Sequence, residues 1–194
     1  MEYLNRKDGI SASALDAYIR CPKRFFLQYV CAIDKPQGIS EEDDPAEVGD
    51  IIHAVLRETF MPYKNRPLPA KSQEDLRKDL AQRAASLFEN ALGNNAGAAN
   101  LPPQSLFMLR HSGPHKLRTY ILGMPDEQST VLDLEQQRTA AINVGAATRR
   151  LCGCIDRIDR REDGLYILDY KTGAINLPAK SLWENSSLWL ANFE

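Results

Sequence analysis

LCGCIDRIDRREDGLYILDYKTG, residues 151–173, reads as two strands joined by a tight turn. Cys154, Ile155 and Ile158 give the first strand its apolar positions, with Asp156 and Asp159 set among them. The second, LYILDYK, is rich in aliphatic, aromatic and β-branched residues. Between them, Asp163-Gly164 supplies the positive φ that a hairpin needs. If Arg161–Gly164 form the loop, Arg160 faces Leu165 and Asp156 lies opposite Asp169. If the loop is Asp163-Gly164 alone, Asp156 lies opposite Lys171. Side chains alternate with period two, so either register gathers Asp156, Asp169 and Lys171 on one face with Ile158 and Ile167.

Like charges directly opposite each other weaken a sheet. Two carboxylates placed there call for a cation between them. Carboxylates plus water suit Mg²⁺ or Mn²⁺, which take oxygen ligands in octahedral geometry. The plain alternative is a solvated hairpin face that happens to be charged. The apolar setting, Ile167-Leu168-Asp169-Tyr170-Lys171, speaks against it, since a fully polar face needs no isoleucine.

The 194 residues carry a formal charge of −2 and 43% hydrophobic residues. That suits one domain with a core, divided into a mainly helical part, residues 1–129, and a sheet part, residues 130–194. No apolar run approaches a membrane span, and MEYLNRKDG lacks the apolar stretch of a signal peptide, so a cytoplasmic protein without a membrane partner is expected. The near-neutral total does not advertise nucleic acid, but Arg149, Arg150, Arg157, Arg160 and Arg161 cluster around the hairpin. A local basic patch binds phosphate even in a neutral protein. Cys21, Cys31, Cys152 and Cys154 are expected as reduced thiols.

Ser11–Val30 has helical spacing interrupted at Pro22, which predicts two short helices meeting near Cys21. Ser13 with Asp16 looks like the capping box, and the aromatics read as core. Lys23 and Arg24 face phosphate or solvent. The acidic run 41–44 reads as a loop. Asp44-Pro45-Ala46-Glu47 then starts a helix to Phe60 with Val48, Ile51, Ile52 and Val55 as its buried stripe. Gly49 and His53 stack on its flank. A mid-helix glycine is easier to justify where something must approach closely. His53 beside it could reach a metal, although a lone histidine is more often a plain boundary residue. Ser72 opens a further helix to Leu92. Ser105–Gly123 is predicted helical on both sides of a Gly113-Pro114 break, with His111 and His115 on the surface. From Thr130 the texture turns to strands, VLDLEQQ and then AINVG. Glu135 lies in an alternating strand and either points to the carboxylates or is exposed. Residues 174–194 show no closing element.

Taken in order, Gly49-x-x-x-His53, Gly153-x-x-Asp156-Arg157-x-Asp159 and Asp169-Tyr170-Lys171-Thr172-Gly173 resemble the RecB-like branch of the PD-(D/E)XK nuclease superfamily. SASALDAYIRCPKRFFLQYV is similar to the opening of AddB-type nuclease domains. The resemblance implies an α/β (α+β type) restriction-endonuclease-like core, a central mixed sheet flanked by helices and preceded by a helical region. It implies His53, Asp156, Asp169 and the Tyr170 carbonyl as ligands of Mg²⁺ or Mn²⁺, with Lys171 orienting or deprotonating the attacking water. Glu135 and Gly49 are accessory candidates. Arg157, Arg160, Arg149, Lys23 and Arg24 are candidates for contacting DNA. The implied reaction is exonucleolytic hydrolysis of DNA within a helicase–nuclease system for repair or recombination. The helicase would be a separate polypeptide or domain.

Two departures stand out. No Gln-x-x-x-Tyr follows Lys171, so the C-terminal part of the domain is expected to be missing. The family's [4Fe–4S] cluster would use Cys21 with three cysteines beyond that motif. Cys31, Cys152 and Cys154 do not reproduce their spacing, so no cluster is expected within this chain. A non-catalytic DNA-binding or scaffolding module of the same fold is the alternative reading.

Overall fold

The computed structural model describes residues 9–33, 45–94, 101–171 and the backbone of residues 188–192. The elements are β1 (Ile10–Ser11), α1 (Ala12–Arg20), α2 (Pro22–Phe25, continued as a π-helical turn, Phe26–Val30), α3 (Pro45–Phe60), α4 (Glu74–Asn94), α5 (Pro103–Gly123), β2 (Thr130–Val144), β3 (Ala147–Arg161), β4 (Gly164–Lys171) and β5 (Leu188–Asn192). The strands form one mixed sheet. β1 is parallel to β3, β2 pairs with β3, β4 is antiparallel to β3, and β5 is parallel to β4. This is the mixed sheet with helices expected of a restriction-endonuclease-like core. The predicted cap Asp44, the acidic run 41–44 and Thr172-Gly173 lie outside the described residues.

The chain forms two compact units, each discontinuous in sequence. Among the described residues, one holds 9–33 and 136–155, the other 45–94, 101–135, 156–171 and 188–192. In the first, α1 and α2 do meet at Cys21, with Pro22 opening α2. The cap of α1 is Ser11, whose Oγ accepts from the Ala14 backbone N–H, so the expected Ser13 box is corrected. The expectation of core aromatics also fails. Tyr18 and Phe26 are each 53% exposed, and Phe25 and Tyr29 stack on each other half-buried. The buried positions of α1 are the small residues Ala14 and Ala17.

In the second unit, α3 buries Ile51, Ile52, Val55, Leu56 and Phe60 against Leu80, Ala81 and Ala84 of α4 and Val131 and Leu134 of β2. Each large side chain buried there contributes about 1.5–3 kcal/mol. The segment after α3 is bonded to the start of β2, with Asn65 N–H donating to the Val131 carbonyl at 2.6 Å and Leu68 N–H to the Ser129 carbonyl at 2.7 Å. Helix α5 is continuous through Pro114, against the predicted break. Gly113 and Pro114 are both buried, and Gly113 lies against the Phe88 ring of α4, where an added Cβ would come within 2.1 Å. Pro114 supplies no N–H to the helix, which nevertheless runs on through it where this segment is buried against α4.

The hairpin follows the longer-loop register. Arg161 pairs with Gly164 and Arg160 with Leu165, so Glu162-Asp163 make the turn and Gly164 supplies the positive φ. One step beyond Arg157↔Leu168, the same register sets Asp156 opposite Asp169. The two predicted strands before the hairpin are one strand, β2. Within it Val131 and Leu134 are both buried, three apart rather than two, and Glu135 has φ 47°. This break in alternation is of the β-bulge kind. Leu188–Asn192 adds a strand where the sequence showed no closing element.

Candidate metal centre and active site

Every group described in this site lies in the second unit. His53 stands on the flank of α3, Glu135 at the irregularity in β2, Asp156 in β3, and Asp169, Tyr170 and Lys171 at the end of β4. One ligand atom each from His53, Glu135 and Asp156 lies within 4.8 Å of the others. His53 Nδ1 is 3.3 Å from Glu135 Oε1 and 3.5 Å from Asp156 Oδ1. The other ring nitrogen, Nε2, is 3.1 Å from the Tyr170 carbonyl oxygen. A carbonyl only accepts, so Nε2 carries a proton and donates it there. Nδ1 then turns towards two carboxylates. A lone pair facing two anions is repulsive unless a cation, either a proton or a metal ion, lies between them. A histidine that ligates through one nitrogen and is fixed by a hydrogen bond from the other is the usual arrangement at metals.

Asp156 is almost fully buried, and its Oδ2 accepts from the Tyr170 backbone N–H at 2.6 Å. Burial raises its carboxyl above the ordinary aspartate range. The Tyr170 N–H and His53 oppose that rise, while Asp169 and Glu135 add to it. Lys171 Nζ pairs with Asp169 Oδ2 at 2.6 Å, both side chains partly open to solvent. Thus His53, Glu135 and Asp156 converge, the Tyr170 peptide bridges two of them, and the Asp169–Lys171 pair adjoins on the same sheet face. Gly49 is half-buried on α3, one turn before His53. The donor set of two carboxylates, a carbonyl and one imidazole suits a hard divalent ion. With one ligand atom from each residue within 4.8 Å of the others, the three side chains are close enough together to hold a single ion.

The opposite face of the hairpin is the core. Tyr170 is 2% exposed, with its ring edge-on to Tyr120 and to His53. Burial, then Tyr120, holds its phenol well above the ordinary range. Arg157 is also 2% exposed. Its Nε and Nη2 donate to the two oxygens of Asp159 at 2.7 and 2.5 Å, and its guanidinium lies 4.2 Å over the Phe60 ring. Ser129 Oγ donates to Asp159 Oδ2 at 2.8 Å. Burial opposes the charge of Arg157, but Tyr170, Tyr120 and Asp159 outweigh it and stabilise the cation.

Arg157 is therefore removed from the DNA-contacting candidates, and Arg161 leaves the basic patch. It is buried, donates to Glu127 at 3.0 Å and stacks on Tyr166. The physical reason is the period of two, which turns 157, 159 and 161 away from the face of 156 and 160. Arg160, Lys23 and Arg24 are exposed, and Arg149 is half-buried. His111 and His115 are exposed as expected. Cys21, Cys31, Cys152 and Cys154 form no disulfide, and Cys21 is exposed. Among the described residues no helix is long and apolar enough to cross a membrane.

Residues 9–186 match the family model of the PD-(D/E)XK nuclease superfamily. The chain is 26% identical over 190 residues to an ATP-dependent helicase/deoxyribonuclease subunit of Carboxydothermus hydrogenoformans, covering 91% of this chain and 17% of that protein. It is 25% identical over 193 residues to the same type of subunit from Streptococcus agalactiae, covering 95% of this chain and 16% of that protein. The chain thus spans only a small part of the curated relatives it matches.

Proposed function

We propose that this chain, which belongs to the PD-(D/E)XK nuclease superfamily, is a divalent-metal-dependent deoxyribonuclease domain. The observation behind the reading is the convergence of His53 Nδ1 with the carboxylates of Glu135 and Asp156, beside Lys171. Mg²⁺ or Mn²⁺ would be held by His53, Glu135 and Asp156, with Asp169 and the Tyr170 carbonyl at the edge of the same site. A bound divalent ion lowers the pKa of a water and offsets charge developing on a phosphate.

The chain's own groups do the rest. The Tyr170 N–H fixes Asp156 Oδ2, and the Tyr170 carbonyl fixes the His53 ring, so one peptide orients two donors. Asp169 holds Lys171 Nζ by one of its three protons, leaving two to orient a water or a phosphate oxygen. The ammonium stabilises negative charge where the scissile phosphate gains it. Arg160, Arg149, Lys23 and Arg24 serve as phosphate contacts along DNA.

On this reading the helical part, residues 1–129, and the sheet part, residues 130–194, make one nuclease domain. It acts as the exonuclease of a cytoplasmic helicase–nuclease in repair or recombination. The names of its relatives, helicase/deoxyribonuclease subunits, support that setting. Cys21 would join an iron–sulfur cluster only with ligands supplied by a longer protein.

The test is degradation of linear DNA with Mg²⁺ or Mn²⁺ by the wild type and Lys171→Ala. A loss of about a hundredfold or more in the variant is expected, the scale of a positioned proton-transfer group. Equal rates would sink the assignment. Salt-dependent binding without turnover by the wild type would make the domain a non-catalytic DNA-binding module.

A further inference from the structure

We infer that the buried Arg157–Asp159 pair is the brace of the metal centre, and that Phe60 and Ser129 are positioning residues that act through it. The inference rests on the metal centre proposed above. It concerns what sets the spacing of ligands that come from three separate elements, α3, β2 and β3, all within the second unit.

Each of those elements meets the pair. On β3, Arg157 directly follows Asp156, so the guanidinium holds the strand beside the ligand. On α3, the Phe60 ring lies 4.2 Å from the Arg157 guanidinium. Phe60 comes seven residues after His53, two turns on along nearly the same line of the helix. This contact therefore fixes α3 lengthwise against β3, and with it the gap between His53 and Asp156. At the entry to β2, Ser129 Oγ donates to Asp159 Oδ2 at 2.8 Å. Ser129 comes six residues before Glu135, and its carbonyl accepts from the Leu68 N–H at 2.7 Å. The chain entering β2 is thus tied to β3 by a side chain and to the segment after α3 by its backbone. Phe60, Ser129, Arg157 and Asp159 are all buried, so water does not compete for these contacts.

Packing alone does not call for such an arrangement. A buried ion pair often stabilises a fold no more than apolar side chains of the same volume. What the pair adds is direction. Arg157 donates from Nε and Nη2 to the two oxygens of Asp159, and a two-point contact fixes orientation as well as distance. Phe60 then meets a flat cation held in one plane, and Ser129 meets a carboxylate held against rotation. The ligand atoms of His53, Glu135 and Asp156 lie within 4.8 Å of one another, and Mg²⁺ tolerates little error in the placing of its ligands.

A network that only stabilised the fold would leave the ion's affinity for the folded chain unchanged. The experiment is Mn²⁺ titration of the whole chain, followed by electron paramagnetic resonance well below each melting temperature. Ser129→Ala removes one hydrogen bond and adds no bulk, and Phe60→Leu removes the ring but keeps an apolar side chain. Leu92→Ala, in the last turn of α4, leaves a cavity in the core and is the control for lost stability. Mn²⁺ affinity should fall at least about threefold in Ser129→Ala and in Phe60→Leu, short of the roughly tenfold or more that a direct partner of a metal ligand contributes. It should stay at the wild-type level in Leu92→Ala. Wild-type affinity in either folded variant, or an equal loss in Leu92→Ala, would overturn the inference and leave the metal centre standing. No Mn²⁺ bound by the wild type would remove the metal centre itself, and the brace with it.

Discussion

Asp156 and Arg157 are neighbours in sequence and belong to opposite faces of β3. Asp156 is held above the ordinary aspartate range, first by burial. Its folded pKa exceeds its unfolded one, so its contribution to the ion-free chain is fully present below the ordinary range. It is lost as pH rises through the folded value. The melting temperature of the EDTA-treated chain should therefore fall as pH is raised from the ordinary aspartate range upward, and the effect should vanish in Asp156→Asn. The amide of that variant still accepts the Tyr170 N–H, and it can donate towards His53 Nδ1. We expect it to be at least as stable as the wild type without ions, and inactive. A thermal melt in EDTA checks the first point, and a large drop in melting temperature would contradict it. Arg157→Ala, in contrast, leaves the Asp159 charge buried and should destabilise the fold by about 3–5 kcal/mol. Arg160→Ala, on the exposed face, should change stability by less than about 0.5 kcal/mol and weaken DNA binding, with a shallower salt dependence. Urea denaturation and filter binding separate the two. Asp156, Asp169, Lys171 and His53 were legible as chemistry because charge set in an apolar strand is unusual and the ordered motifs resemble a family. The burial of Arg157 was not legible, because Phe60 and Tyr120, which receive it, come from distant helices.

The hairpin register was left open between two pairings, which the Arg161–Gly164 pair decides, but the hairpin itself was legible at the element scale because the apolar alternation and the turn residues agreed. Three features were not. The conformation of Glu135 depends on one positive φ in β2, for which glutamate gives no signal. A non-glycine residue in this region stores about 1–3 kcal/mol, and such strain tends to gather at functional sites. The continuity of α5 through Pro114 depends on α4, which local propensity does not see. The aromatics of α1 and α2 follow helical spacing, which locates a stripe without saying what covers it. Gly113→Ala tests the packing of α4 on α5. The added methyl meets the Phe88 ring, so a loss of about 1–3 kcal/mol in chemical denaturation is expected. An unchanged midpoint would mean that Phe88 moves aside freely.

At the scale of the whole molecule, the second unit brings together residues 53, 135, 156 and 169–171, which no local pattern unites. Family resemblance supplied that order in the sequence for all of these but Glu135, and packing of α3 on the sheet supplies it in space. The division into two discontinuous units was hidden, since β2 runs unbroken through the boundary after Glu135 and β3 through the one after Ile155. Because the ion-free site crowds carboxylates together, an ion that binds only the folded chain should stabilise it. The expected gain is about 2.7 kcal/mol at a hundredfold excess over Kd, and Mn²⁺ should raise the melting temperature of the wild type but not of His53→Ala. The most direct test of the metal centre is Mn²⁺ titration followed by electron paramagnetic resonance. One Mn²⁺ per chain is expected for the wild type, with affinity lost in Asp156→Asn and largely kept in Lys171→Ala. Equal Mn²⁺ affinity in wild type and Asp156→Asn would contradict the assignment of His53, Glu135 and Asp156 as the site that holds the ion.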